Sequence, residues 1–480
     1  MCKFVLFTKL KANSSLVWNN KVIFIIFSYL LFLPLIFPQI MAEKQVKKTK
    51  RPRLDLNDVY EVERIVDHAP IENSQNKYLY FIKWKGWHQS HNTWEPLDNL
   101  NCDDKLNEYL SKLTVAPSDV KKIEEIKMSM MTLEEGYIKN LLSENKINGK
   151  IQIPEVNKNL IKTILHFLAS MPEDEWDFAL RDKLKSLIDL EVLNDLRTTQ
   201  LESLQLWENK MNDICSSKFP LKVENNVDLE GAPPKFIYIT ENVSAEGIVI
   251  PSDPLVGCDC GLRCNGISSK CCFSSANSVY AYSKRKLRID PGMPIYECNR
   301  RCSCGPECAN RVIQHGRSKR LSIFRTPNQC GWGLKARDKI SKGTFITQYV
   351  GEIITNEEAE QRGMRYDADG RTYLFDLDFN GEENAYTIDA TVYGNESHFI
   401  NHSCEPNAAI YAAFINCLDP NLPLLAIFAV RDIMAGEEIT FDYSSQQNGR
   451  SISAEDNEGK VFENYLCKCG SANCRKYLFT

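Results

Sequence analysis

Hydrophobic and polar residues alternate in several distinct rhythms along the chain. Residues 22–40 form one apolar run of near-membrane-spanning length, broken by Pro34 and Pro38 and followed at once by Met41. The segment YLYFIKW at 78–84 alternates and is rich in aromatic residues, which predicts a strand; Asn101–Leu113 reads as a helix. Residues 117–215 are charged and helical in period. Leu180, Leu184 and Leu187, then Leu190, Leu193 and Leu196, step by three or four and predict a scaffold helix packed on its neighbours. A self-association coil is the alternative. Glu224–Pro234 reads as a linker, 319–445 as many short β segments separated by Gly, Pro and Asn turns, and 446–463 as a polar, mobile stretch.

These rhythms divide 480 residues into about three domains. A composition of 43% hydrophobic and 25% charged residues excludes a wholly disordered or multi-span membrane chain. The net charge of −5 excludes a general nucleic-acid binder, so any basic surface must be local. One basic run is Lys44, Lys47, Lys48, Lys50, Arg51 and Arg53, read as a nuclear import or nucleic-acid patch, with import favoured, rather than a plain solvated tail. The apolar run 22–40 lacks a small-residue cleavage site, and residues 1–40 read as an artefact of gene modelling rather than a signal peptide or anchor. No membrane association is expected.

The 18 cysteines change the picture most. Cys258, Cys260, Cys264, Cys271 and Cys272 are followed by Cys298, Cys302, Cys304 and Cys308. Nine is odd, and the C-x-C and C-C spacings suit disulfides poorly. Three tetrahedral zinc ions offer twelve ligand positions, which nine thiolates fill if three of them bridge. Arg263, Lys270, Arg300 and Arg301 stand near enough in sequence to offset the negative charge. Cys467, Cys469 and Cys474 lack one ligand for a fourth tetrahedral site, and Cys404 is the natural fourth. The competing reading is a secreted, disulfide-rich domain. Cys2, Cys102, Cys215, Cys330 and Cys417 are left as ordinary thiols.

Tyr60, Trp84 and Trp87 are either core aromatics or an aromatic cage for a methylated ammonium, whose diffuse charge is attracted by ring faces. The order of residues decides between them. VYEVERIVD at 59–67, YFIKWKGW at 80–87 and NTWEPLDNL at 92–100 resemble a chromodomain. The resemblance implies a three-stranded sheet plus helix over 58–116. It places the cage on Tyr60, Trp84 and Trp87, assigns Trp94 to the fold, and implies a methylated lysine of a histone tail as ligand, bound as an added strand.

A second resemblance rests on Gly331-Trp332-Gly333, Tyr349-Val350-Gly351-Glu352, Tyr373-Leu374-Phe375-Asp376, Asn401-His402-Ser403-Cys404 and Phe441-Asp442-Tyr443, in that order. With the two cysteine sets they resemble a SET-domain lysine methyltransferase with pre-SET and post-SET zinc modules. The chromodomain in front narrows the likeness to the suppressor-of-variegation group, which methylates lysine 9 of histone H3. The implied architecture is α+β and multidomain. An amino-terminal segment (1–57) precedes the chromodomain, a helical linker (117–235), the pre-SET cluster (256–316), the β-rich SET core (319–445) and the post-SET module (463–479).

The resemblance implies S-adenosylmethionine as methyl donor and four zinc ions in all. It implies cofactor contacts from Gly331, Trp332, Gly333, Tyr373, Asn401 and His402. It implies a lysine channel of Tyr349, Phe375, Phe441 and Tyr443, with Tyr443 as the main catalytic residue. Such a channel suits the chemistry: lysine has a reference pKa near ~10.4, and an apolar tunnel beside a sulfonium disfavours its charged form. Phe441 in place of tyrosine leaves room for di- and trimethylation. Tyr477 to Phe479 would close one wall. Asp376, Asp378, Glu382 and Glu383 either attract a basic histone tail or form a solvated acidic loop.

The implied partners are the histone H3 tail, nucleosomes and heterochromatin proteins, and the implied place is nuclear heterochromatin. His398 departs from the arginine common at that position, which bears on rate rather than on reaction type; Cys330 beside the GWG segment has no account. Two other readings remain: a non-catalytic zinc-binding chromatin scaffold, and a membrane-anchored or secreted protein in which the sequon Asn401-His402-Ser403 would be glycosylated.

Overall fold

The computed structural model describes residues 3–4, 60–71, 74–113, 120–215, 217–264, 271–369, 373–379, 385–443 and 466–478. The expectations for residues 22–40, 44–53 and 446–463, and for Lys270, Glu382, Glu383 and Phe479, lie outside them. The chain forms two compact units. No described helix is long and apolar enough to cross a membrane.

In the first unit the strands Val62–Pro70, Tyr78–Trp84 and Thr93–Pro96 pair antiparallel in that order. The alternation seen in sequence is the burial pattern: Tyr80, Ile82 and Trp84 are buried, and Phe81 and Lys83 between them are only partly covered. The helix Asp103–Leu113 follows and buries Leu106, Tyr109 and Leu110. The helices Val120–Met130 and Lys158–Ala169 belong to the same unit; Asn157 caps the latter by accepting from the Leu160 N–H at 3.1 Å.

The segment read as a linker thus begins inside the body of the first unit. The Tyr80 hydroxyl donates to Asp177 at 2.8 Å, and Lys183 pairs with Asp103 at 2.6 Å. The leucine stripe shows that a helix face is buried but not against what, so this packing was not legible. The helix Phe178–Cys215 runs for 38 residues, beginning in the first unit and ending in the second. Its Leu180, Leu184 and Leu193 are fully buried, whereas Leu196 is exposed.

The second unit is built of small sheets. One four-stranded sheet has the order Val243–Ser244, Glu352–Thr355, Tyr386–Asp389, Leu374–Asp376. Another has the order Ile295–Tyr296, Ala408–Phe414, Leu424–Ala429, Phe345–Tyr349, so the cysteine-rich segment contributes an edge strand, parallel to its neighbour. In a third sheet, Leu321–Arg325 lies between Trp332–Ala336 and Lys222–Glu224.

The stretch after Glu224 is not a loose linker. Asp228 pairs with Arg325 at 2.8 Å, and the Gln200 side chain donates to the carbonyls of Asp228 and Glu230. Its charges looked solvated in sequence because their partners lie far away along the chain. Ile323, Leu334, Ile346, Ile353, Ile388 and Ile427 are among the buried core of this unit.

Candidate functional site

Three groups of side chains carry chemistry: the cysteines, a site built from the motif segments of the second unit, and the aromatic residues of the first.

No described cysteine is in a disulfide, which removes the secreted-domain reading's framework among the described residues. Seven of the nine cysteines of the first set fall in groups of four: Cys258, Cys298, Cys302, Cys304; Cys258, Cys264, Cys271, Cys298; and Cys264, Cys298, Cys304, Cys308. The sulfurs of each group lie within 4.8 Å of one another. Cys260 joins through Cys271 at 3.6 Å and Cys272 through Cys302 at 3.3 Å. Cys258, Cys264 and Cys298 form a central triangle with edges of 3.7, 3.8 and 3.4 Å.

Burial pushes the Cys258, Cys264 and Cys271 thiols up, the last to about 11. Thiolates gathered this densely need a cation, so the donor set fits a metal cluster. Backbone N–H groups also point at sulfur, from Cys258 and Asn299 to Cys302 and from Cys264 to Cys308. The expected basic neighbours are corrected here: Arg263, Arg300 and Arg301 are exposed, and Arg301 turns to Asp253 at 2.7 Å. Arg311 takes their place, donating to the carbonyls of Cys298 and Asn299, with the Cys304 sulfur 3.8 Å away. Arg311 stands three residues after Cys308, so this neighbour was within reach of the sequence and was passed over.

Cys404, Cys467, Cys469 and Cys474 form a fourth group, half-buried, with Cys404 3.8 Å from Cys467. Cys404 joins this group to the motif segments. The strand Asn401–His402 pairs parallel with Thr440–Phe441, which sets two motifs side by side. The Tyr443 N–H donates to His402 Nδ1 at 3.1 Å, so Nε2 carries the hydrogen and faces the Cys404 sulfur at 3.3 Å. Burial holds this histidine below its ordinary pKa, hence neutral. Both ring nitrogens are thus engaged within the protein, and any hold of His402 on a cofactor runs through its backbone.

Asn401 donates to the Trp332 carbonyl at 3.2 Å and to Glu438 at 2.8 Å. Gly331 has φ +86°, a conformation that favours glycine. At Gly333 a Cβ would sit 2.7 Å from a Glu438 oxygen and 2.8 Å from Thr326. The pair of glycines therefore lets this strand close onto Glu438 and Asn401. The Asn401 Oδ1 accepts no hydrogen bond among the described residues and is an acceptor fit for the ammonium of an amino-acid-like cofactor. Tyr373 stacks on His398 at 4.1 Å, and His398 Nδ1 meets the Ala390 carbonyl at 2.7 Å.

The four channel residues come together. Tyr349, Phe375 and Phe441 share one buried cluster, with Tyr443 packed against it. Tyr349 lies 5.5 Å from Phe375 between ring centres, and Phe441 4.9 Å from Tyr443. The Tyr443 hydroxyl donates to the Ile400 carbonyl at 2.8 Å and the Tyr349 hydroxyl to the Tyr373 carbonyl at 2.9 Å. Burial pushes both phenols well above their ordinary pKa. Each is a protonated donor whose oxygen lone pairs remain acceptors; neither is a base.

Residues that sequence reasoning missed surround this site. Arg475 forms a bidentate pair with Asp442, both bonds at 2.7 Å, and Asn473 donates to Glu405. Both residues of each pair sit beside a motif position, which was the available signal. In the first unit Tyr60 lies 6.3 Å from Trp84 and 5.8 Å from Trp87, edge-on to each. Lys83 pins the two tryptophan carbonyls at 2.8 and 2.7 Å and pairs with Glu63. Trp94, expected in the fold, packs tilted against Phe81 at 4.9 Å between ring centres yet is 44% exposed.

Three family models match the chain: a chromo domain over residues 60–112, a pre-SET motif over 214–311 and a SET domain over 331–444. The histone-lysine N-methyltransferase SUV39H2 of Bos taurus is 40% identical over 438 residues, 91% of this chain and 92% of that protein. The chain belongs to the Suv39 family of histone-lysine N-methyltransferases. Its likeness to the Drosophila melanogaster histone-lysine N-methyltransferase Su(var)3-9 is 38% over 440 residues, 88% of this chain and 66% of that one. Among solved structures, the Neurospora SET domain protein DIM-5, a histone lysine methyltransferase, has a TM-score of 0.45 at 33% identity, covering 48% of this chain and 98% of that chain. In this chain the chromo domain and the SET domain share one polypeptide.

Proposed function

We propose that this chain transfers methyl groups from S-adenosylmethionine to lysine 9 of the histone H3 tail, to the di- and trimethylated states, in nuclear heterochromatin. Family membership supports the reaction class; the substrate lysine follows from the resemblance of the motifs. The observation that carries the reading is the gathering of Tyr349, Phe375, Phe441 and Tyr443 beside the paired segments Asn401–His402 and Thr440–Phe441.

S-adenosylmethionine, when bound, would supply an electrophilic methyl group carried on a sulfonium, and the residues of the chain would bring the lysine amine to it. The apolar walls of Phe375 and Phe441 disfavour an ammonium and so favour the neutral amine. Tyr443 and Tyr349, held as donors to backbone carbonyls, turn their lone pairs to the amine hydrogens and orient its own lone pair. Phe441 offers no hydroxyl to hold a methylated amine back, which supports repeated transfer. Asn401, the glycine-flanked Trp332 and the stacked Tyr373 would hold the cofactor.

Each zinc of the first set would take two terminal and two bridging thiolates. Three of the nine would be shared between two zinc ions, and Cys298, common to the three groups of four, would be one of them. Nine thiolates then fill three tetrahedral sites with none left over. Cys404, Cys467, Cys469 and Cys474 would hold a fourth zinc. Tyr60, Trp84 and Trp87 would bind a methylated lysine of a histone tail.

Mass spectrometry of a histone H3 tail peptide after incubation with S-adenosylmethionine tests the reading. Mass gains of two and three methyl groups at lysine 9 are expected, and Tyr443→Phe should lower the rate by about 10²-fold or more. No transfer by the zinc-loaded protein would favour the chromatin scaffold instead.

A further inference from the structure

The strand pair Tyr282–Ser283 and Lys286–Leu287 is joined by Lys284 and Arg285, both in the left-handed region at φ +50° and +60°. Two consecutive positive-φ residues make the tight turn whose twist suits a hairpin, but glycine or asparagine are the residues that adopt it cheaply. Here two long cations occupy it, and Lys286 and Arg288 follow at once.

The hairpin sits on a second basic loop. The Leu287 N–H donates to the Gly343 carbonyl at 2.8 Å, and a Cβ at Gly343 would lie 2.5 Å from the Leu287 oxygen. Glycine there lets the hairpin close onto Lys339 and Lys342, while Lys286 reaches Thr344. Lys319 lies near enough to repel Lys286, whose ammonium is disfavoured first by burial and then by that charge.

The acidic side chains nearby do not balance the patch. Glu307 takes Arg285, Asp338 takes Arg320 and Asp432 takes Lys339, and the exposed Asp290 is a single further acid against Lys284, Lys286, Arg288, Lys319 and Lys342. Lys284, Arg288 and Lys342 are exposed and form no ion pair among the described residues. A local excess of cations in a chain of net charge −5 costs self-repulsion and calls for an external anion.

The shape of that anion follows from what the patch lacks. Residues 283–290, 317–320 and 338–343 contain no aromatic side chain, and the neighbouring Tyr282 is 1% exposed. Single strands are gripped by stacking bases on rings; duplexes are gripped through phosphates alone. We propose that the hairpin at Lys284–Arg288, with the Lys339–Lys342 loop, is a docking surface for the phosphate backbone of duplex DNA. The surface reads no sequence, and it would anchor the catalytic unit to the DNA of the nucleosome whose tail it modifies. That last step rests on the proposed function; the DNA contact itself does not.

The test is the triple substitution Lys284→Ala, Arg288→Ala, Lys342→Ala in the full chain. Its parent is a chain with the six cations of 44–53 changed to glutamine, so that segment contributes to neither arm. Fluorescence anisotropy with a short duplex should show affinity reduced more than about tenfold and the slope of log K against log salt reduced by about 3. Thermal melting should not change. Methylation of the H3 peptide should keep its rate, while methylation of nucleosomes should fall with the DNA affinity. Unchanged duplex affinity and salt slope would overturn the proposal, as would a larger loss for the matching single strand or for polyglutamate. Absence of peptide methylation in the parent would sink the proposed reaction and leave the DNA result readable.

Discussion

The two cysteine groups of the second unit look alike in composition and differ in what they hold. The first comes from one continuous stretch, 258–308, and packs Cys258, Cys264, Cys271, Cys298 and Cys308 with Phe273 into a buried cluster of its own. The second joins Cys404 to a partner 63 residues later, and its members are only half-buried. In the first, the sulfurs stand where a larger segment would place an apolar core, so a metal bound there would contribute folding energy. In the second, the neighbours are His402 and, through Arg475, Asp442, the residue before Tyr443. A metal bound there would set the geometry of a site on a core that is already built. One group is a substitute core and the other is a latch.

The largest effect should come from Cys298→Ser, which removes a bridge of the central triangle. Metal analysis is expected to find about one zinc in place of four, with little soluble protein; a soluble variant retaining all its zinc would break the contrast. Cys404→Ser should leave three zinc ions and a folded core but lower methyl transfer by at least about 10²-fold, with weakened cofactor binding by calorimetry. If melting temperature fell as far as for Cys298→Ser, the latch would be a core after all.

Arg475→Ala sharpens the contrast by cutting the link and sparing the ligands. Zinc content should stay the same and stability change by less than about 1 kcal/mol, since the pair is partly exposed. Methyl transfer should fall about tenfold, and Arg475→Lys should restore part of it, because one bond of the two survives. Trp87→Ala is the control with the smallest effect on either group. Zinc content and H3 peptide methylation should be unchanged, while affinity for a trimethyl-lysine peptide falls about tenfold or more.

Much of this was legible because the chemistry repeats in short words. The β alternation of 78–84, the nine-cysteine spacing and the order of the SET motifs each describe neighbours along the chain, and each reappears in space. What stayed hidden was pairing over long distances. Asp228 meets Arg325 across 97 residues, and Tyr80 meets Asp177 across the same number. Periodicity tells that a face is covered; it carries no record of the residue that covers it.

The sequence by itself determined the cysteine spacings, the strand rhythms and the motifs whose resemblance implies the reaction class, since those depend on which atoms a side chain owns and on spacings of a few residues. Only the tertiary structure decided which way the His402 ring faces, that Tyr443 and Tyr349 are held as donors, and that Asp442 answers to Arg475. Those outcomes are set by hydrogen-bond geometry within about 3 Å, and segments remote in the chain reach that range only when the whole core has closed around them.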